Sequence, residues 1–205
     1  MTHHEIYHEV DIVVKNRLLR DSDEINQRVV HLQEVLNHIY YPTMEQMLKL
    51  FELKWDDRES EIVCFLGCCP VFPRNVITKE YYVNHNTVDD KLIKASIHEL
   101  NHFVLFEKWK SMHGYDRATE PIHPEPLWFL EEIAIDPTLN EELMQKVAPY
   151  PQTAYQQFYE QTIDGMSVMD QIKKIYIIRE NMADFLDKAH MYITSNIDEI
   201  VHKCG

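Results

Sequence analysis

Glycine is scarce in this chain, with four in 205 residues. Leu, Ile, Glu, Lys and Met are abundant instead, which argues against a fold of many tight hairpins and favours helices. Clustered Lys and Arg are also missing. With a formal charge of −14 the chain has no basic patch to neutralise phosphates, so nucleic acid is excluded as a partner. The acidic surface serves solubility and could attract cationic peptides. No uninterrupted apolar run reaches the length of a membrane span, and the opening M-T-H-H-E-I-Y-H-E-V-D lacks the basic, apolar, small-residue order of a signal peptide. A cytoplasmic protein without a membrane partner is expected. Cysteines are few and crowded: Cys64, Cys68 and Cys69 fall within C-F-L-G-C-C, and Cys204 stands near the end. That is no spaced disulfide framework, and adjacent cysteines on a strand face opposite ways, so the group reads as reduced core residues rather than a metal site.

What the chain does contain is 45% apolar residues, enough for one sizeable core, and no linker that would divide it. Apolar positions recur at helical spacing over about 4–19 and 23–40, the second run following the capping candidates Asp21 and Ser22. Pro42 is expected to end that helix, with Thr43 and Gln46 as a capping box opening a third helix toward Trp55. Between about 60 and 84, E-I-V-C-F-L-G-C-C-P and N-V-I-T-K-E-Y-Y-V-N are rich in β-branched and aromatic residues and predict a small sheet. Thr87 is a candidate N-cap for a helix over 88–113 that stops at Gly114. A helix over about 126–136 should stop near Pro137, and helices divided near Pro149, Pro151 and Gly165 should fill the rest. The fold class expected is α+β, a mostly helical single domain with a small sheet.

The pattern H-E-x-x-H occurs twice, at His4 to His8 and at His98 to His102. Histidines four apart on a helix project from one face, where two imidazoles can reach one ion with the intervening glutamate beside it. A chain with 12 histidines can produce the pattern by chance, so context must separate the copies. Ile97, Leu100, Phe103, Val104 and Phe106 surround the second copy, whereas His3 and Glu9 flank the first near a chain end prone to fraying. The second is therefore the candidate metal site. A tetrahedral catalytic zinc takes three protein ligands, so a third donor is needed. In W-F-L-E-E-I-A-I-D, Glu132 and Asp136 stand i, i+4, with Glu132 as ligand and Asp136 orienting a ligand histidine; Glu131 is the alternative ligand.

These residues resemble the zincin metallopeptidases, and within them the gluzincin branch: His98-Glu99-Leu-Asn-His102 on one helix and Glu132-Ile-Ala-Ile-Asp136 on a later one. Uncharged Leu100, Asn101 and Phe103 and apolar Val104 match the extended zincin pattern. The E-x-x-x-D segment is similar to that of thermolysin-like peptidases, and L-E-E-I-A to the L-x-E-G-x-A of aminopeptidase N-like enzymes. The interval from His102 to Glu132 is longer than in those groups, and neither glutamate precedes the usual glycine. The resemblance implies zinc on His98, His102 and Glu132, with Glu99 as general base in the hydrolysis of a peptide or protein substrate. It also implies an edge strand beside the metal helix to hold extended peptides, a role N-V-I-T-K-E-Y-Y-V-N could fill; the other reading is a core strand that supports the helix. A further donor for the carbonyl oxygen could come from His123, Tyr150, Tyr155, Tyr159, Tyr176 or His190. The alternative function is a zinc-stabilised helical interaction protein without turnover.

Overall fold

The computed structural model describes residues 3–55, 61–68, 73–114 and 120–202, with side chains described from residue 8 to 201. Helix α1 (His3–Arg20) is succeeded after Asp21 by the long α2 (Ser22–Leu50). Strands β1 (Val63–Gly67), β2 (Arg74–Asn75) and β3 (Glu80–Asn84) form one sheet, and α3 (Asp89–His113) and α4 (Pro126–Leu139) follow. The remainder comprises α5 (Glu142–Val147), α6 (Gln157–Glu160), the small hairpin β4 (Thr162–Ile163) and β5 (Met166–Ser167), then α7 (Val168–Ile177), α8 (Met182–Ser195) and α9 (Ile197–His202). The chain is thus mostly helical with a small mixed sheet, and one core cluster runs from Leu32 to Ile200. Among the described residues no helix is long and apolar enough to cross a membrane.

Helix α4 organises this core. Every residue from Leu127 to Leu139 is buried except Trp128, as a helix with apolar residues all round must be. It packs against α3, α7 and α8. Pro137 does not stop it, and it continues to Leu139. Pro42 likewise does not break α2, which runs on to Leu50. The lost backbone bond and ring clash disfavour this, but continuing the helix buries Met44, Met47 and Phe51, and that packing prevails. The expected third helix and its capping box therefore do not exist. Thr43 is fully buried inside α2 instead of capping a new helix. Asp21 does occupy the N-cap position of α2, without a side-chain cap bond, because its carboxylate pairs with Arg20.

The sheet order is β1-β3-β2, with β3 parallel to β1 and antiparallel to β2. β3 is therefore the central strand, not the edge strand that peptide addition would need. Tyr81 and Val83 face the core, where Tyr81 lies 6.3 Å from Phe103 of α3, while Tyr82 stacks on Phe65 of β1 at 4.8 Å outside. The predicted strand over 75–84 is half turn: residues 76–79 bend away before β3 begins. Helix α3 starts after Val88 rather than Thr87; the Thr87 carbonyl accepts from Arg28 Nη2 at 2.7 Å, and Arg28 and His31 of α2 both pair with Asp89. Gly114 ends α3 at φ 59°, the left-handed conformation for which glycine is suited. Gly165, at φ 80°, divides the helices where expected, as the turn of the β4–β5 hairpin, an element the periodicity did not indicate.

One buried polar contact ties α3 to α4. Thr138 Oγ lies 3.1 Å from Asn101 Oδ1 and 2.6 Å from the Ala134 carbonyl, and both side chains are fully buried. The Thr138 hydroxyl is the donor, shared between the Asn101 Oδ1 on α3 and the Ala134 carbonyl of its own helix. Thr138→Val removes this link and strands a buried amide. A loss of about 1–3 kcal/mol is expected in urea denaturation, with Thr138→Ser retaining most of the stability.

Candidate metal centre

Helices α3 and α4 bring His98, His102 and Glu132 together, with their ligand atoms within 4.8 Å of one another. Glu132 lies between the imidazoles: its Oε2 is 3.8 Å from His98 Nε2, and its Oε1 is 3.7 Å from His102 Nε2. Donors on a tetrahedral zinc stand about 3.3–3.4 Å apart, given bonds of ~2.0–2.1 Å. Closing the observed gaps takes only small side-chain movements. The rings of His98 and His102 sit edge to face, with centroids 4.7 Å apart. His102 is fully buried, while the His98 side chain keeps 25% exposure and marks the way in from solvent.

Two further properties fit a cation. Both ring nitrogens of His102 are buried without a hydrogen-bond partner among the described residues, an expensive state for an imidazole that a metal bond would relieve. Burial, with Arg74 nearby, pushes His98 down to about 4 and His102 well below its ordinary value, so both rings are neutral near pH 7 and keep lone pairs for a metal. The donor set, two imidazoles and a carboxylate, suits zinc among other divalent ions.

Around this triad lies a buried cluster of carboxylates centred on a residue that the sequence reading did not single out. Arg74, on β2, reaches into the gap between α3 and α4. Its Nε pairs with Glu120 Oε1 at 2.6 Å, and its Nη1 and Nη2 both donate to Glu132 Oε1 at 3.2 Å. Glu131 Oε2 is 3.5 Å from Nη2, and Glu99 Oε2 is 3.8 Å from Nη1. One guanidinium thus serves four carboxylates, leaving excess negative charge wherever all are ionised. Desolvation answers by raising their pKa values against the pull of Arg74. Glu99 goes up to about 8, Glu131 well above its ordinary range, and Glu120 and Glu132 rise too. A divalent ion here would favour the ionised forms instead.

Of the acidic residues on α4, Glu132 is the one grouped with the two histidines, while Glu131 is fully buried against Arg74 and neither of its oxygens accepts a hydrogen bond among the described residues. Asp136 does not orient a ligand histidine. It accepts from Tyr159 and from Asn140 at 3.3 Å, and pairs with Lys173 at 2.9 Å. The i, i+4 spacing places it one turn beyond Glu132, where α4 meets α6 and α7 rather than the histidines. Glu99 is 5% exposed and adjoins the triad on α3.

Of the candidate donors for a carbonyl oxygen, Tyr159 is engaged by Asp136 and Tyr176 by Glu141 and Arg179. His190 packs on Trp109, and His123 stands edge-on to Trp128. Tyr155 stacks on Trp128 at 5.9 Å, and burial raises its phenol, with a smaller push from the Glu132 charge. Elsewhere, Cys64 and Cys68 are free thiols, with burial pushing Cys64 up to about 11, a protonated state ill suited to metal binding. Cys69 and Cys204 lie outside the described residues. So does the side chain of His4, while His8 is exposed on α1.

Arg74 left a mark on composition that could have been read. Helix α4 places Glu131, Glu132 and Asp136 in an otherwise apolar run, and buried carboxylates demand a cation. No spacing rule says which of 20 Lys and Arg residues answers.

Elemental analysis should find about one zinc per chain in the wild type, and less than about a tenth of that in His102→Ala and Glu132→Ala. His4→Ala should keep the full content.

Comparison with protein-family models, with curated proteins and with solved structures gives no match for this chain.

Proposed function

We propose that the protein is a zinc-dependent peptidase in which His98, His102 and Glu132 hold the ion. The observation that carries this reading is the buried His102, with both ring nitrogens unpaired, set beside His98 and Glu132 at 3.7–3.8 Å separations. Zinc, when bound, supplies Lewis acidity toward water and toward the scissile carbonyl. The chain's own residues supply the proton transfers. Glu99 directly follows His98 on α3, and its Oε2 has no hydrogen-bond partner among the described residues. It accepts the proton of the attacking water and delivers it to the leaving amine. Burial raises its carboxyl to about 8, and a neighbouring dication would favour the ionised form that a base requires. The partly exposed His98 side defines the approach for the substrate.

A second reading, a zinc-stabilised helical interaction protein without turnover, draws on the depth of Glu99, which is 5% exposed. Glu99→Gln separates the two. For a peptidase, hydrolysis of a peptide library should fall by about 10²–10⁴-fold while zinc content stays near the wild-type level. Wild-type protein loaded with zinc that cleaves no peptide would count against the peptidase and for the interaction protein.

A further inference from the structure

The two-residue strand β2 contributes little to the sheet, yet its Arg74 is the most heavily engaged side chain at the centre. The antiparallel register Arg74↔Tyr81 places it beside the central strand that leads into α3. The Tyr82 amide donates to the Pro73 carbonyl at 2.9 Å and holds the segment there. Glu120, just before α4, faces it from the other side: one carboxylate oxygen forms an ion pair with Arg74 Nε at 2.6 Å, without hydrogen-bond geometry, and the other accepts from the Val76 amide at 3.3 Å. The guanidinium is thereby fixed by its Nε edge, and its two terminal nitrogens converge on a single oxygen of Glu132 at 3.2 Å. That same oxygen faces His102 Nε2.

A glutamate side chain has three rotatable bonds, so a ligand carboxylate needs outside restraint to stay aimed at its ion. Glu132 gets that restraint from the forked end of Arg74, whose planar donors fix direction as well as charge. The Nη1 nitrogen also stands 3.8 Å from Glu99 Oε2, so one group faces both the ligand and the proposed base.

Resting on the metal-centre reading above, we infer that Arg74, anchored by Glu120, is the positioning residue of this centre: it holds the Glu132 carboxylate in place between His98 and His102 before the ion arrives. The chain of contacts Glu120, Arg74, Glu132 joins a loop, a sheet edge and the central helix. Without it, Glu132 would lose the paired donors that aim its carboxylate, and the ion would bind more weakly and in altered geometry. The opposite sign is the rival: an arginine that merely repels a dication would, once removed, leave binding tighter.

The test is titration of the metal-free full chain with Co²⁺, followed by the visible absorption bands that report coordination geometry, in wild type, Arg74→Met, Arg74→Lys and Glu120→Gln. Circular dichroism checks that each variant is folded. Loss of Arg74 or of its Glu120 anchor should weaken Co²⁺ binding by about 10–100-fold, the usual effect of removing a group that orients a metal ligand, and shift the bands. Arg74→Lys should recover part of the affinity but not the spectrum, since it restores charge without the fork. If Arg74→Met fails to fold, Glu120→Gln decides alone. Folded variants with wild-type affinity and spectrum, or with tighter binding, overturn the inference while leaving the metal centre standing. Absence of Co²⁺ and Zn²⁺ uptake by the wild type removes the metal centre itself, and the positioning role with it.

Discussion

The contact between one buried guanidinium and four carboxylates is the constraint around which this molecule is arranged. Glu99 on α3, Glu131 and Glu132 on α4 and Glu120 in the preceding loop all converge on Arg74 from β2. Burying acids in the middle of an apolar core is unfavourable by several kcal/mol per uncompensated charge. The fold lowers that penalty by delivering a single always-charged side chain to the place where all of them meet. The result draws three separate parts of the chain to one point. Removing the cluster would leave the sheet edge, α3 and the central helix with fewer reasons to lie where they do.

The surroundings of the cluster serve its geometry. Helix α4 is enclosed by α3, α7 and α8, so a side chain on it has little room to move, and a carboxylate there is held by packing as well as by ion pairing. Thr138 and Asn101 lock α4 to α3 at the residue just before His102. The α2 contacts of Arg28 and His31 with Asp89 secure the start of α3. The exposed α1 takes little part in this arrangement, with Val10, Val13 and Leu19 open to solvent.

Much of the fold was legible because its signals are local. The span and stop of α3 follow from apolar spacing and from Gly114, and the small sheet from the β-branched and aromatic runs around residues 63–67 and 80–84. The errors have a common cause. Pro42 and Pro137 locally disfavour a helix, and in both cases tertiary burial outweighs that effect. Asp136 was assigned by spacing to the face of Glu132, but spacing says nothing about which neighbour packs one turn farther along, and there the neighbours are Tyr159 and Lys173. The central place of β3 was likewise hidden, since strand order depends on how β2 returns to pair.

Local pattern alone places His98 and His102 on one helix face, sets Glu99 beside them, and carries acids into the apolar setting of a later helix, because helical periodicity and residue chemistry are properties of short segments. Only the tertiary structure decided that Glu132 rather than Glu131 meets the histidines, that Asp136 turns elsewhere, and that Arg74 is the cation that meets the acids. Those outcomes depend on the relative rotation and separation of α3, α4 and β2, which long-range packing sets and no local pattern encodes.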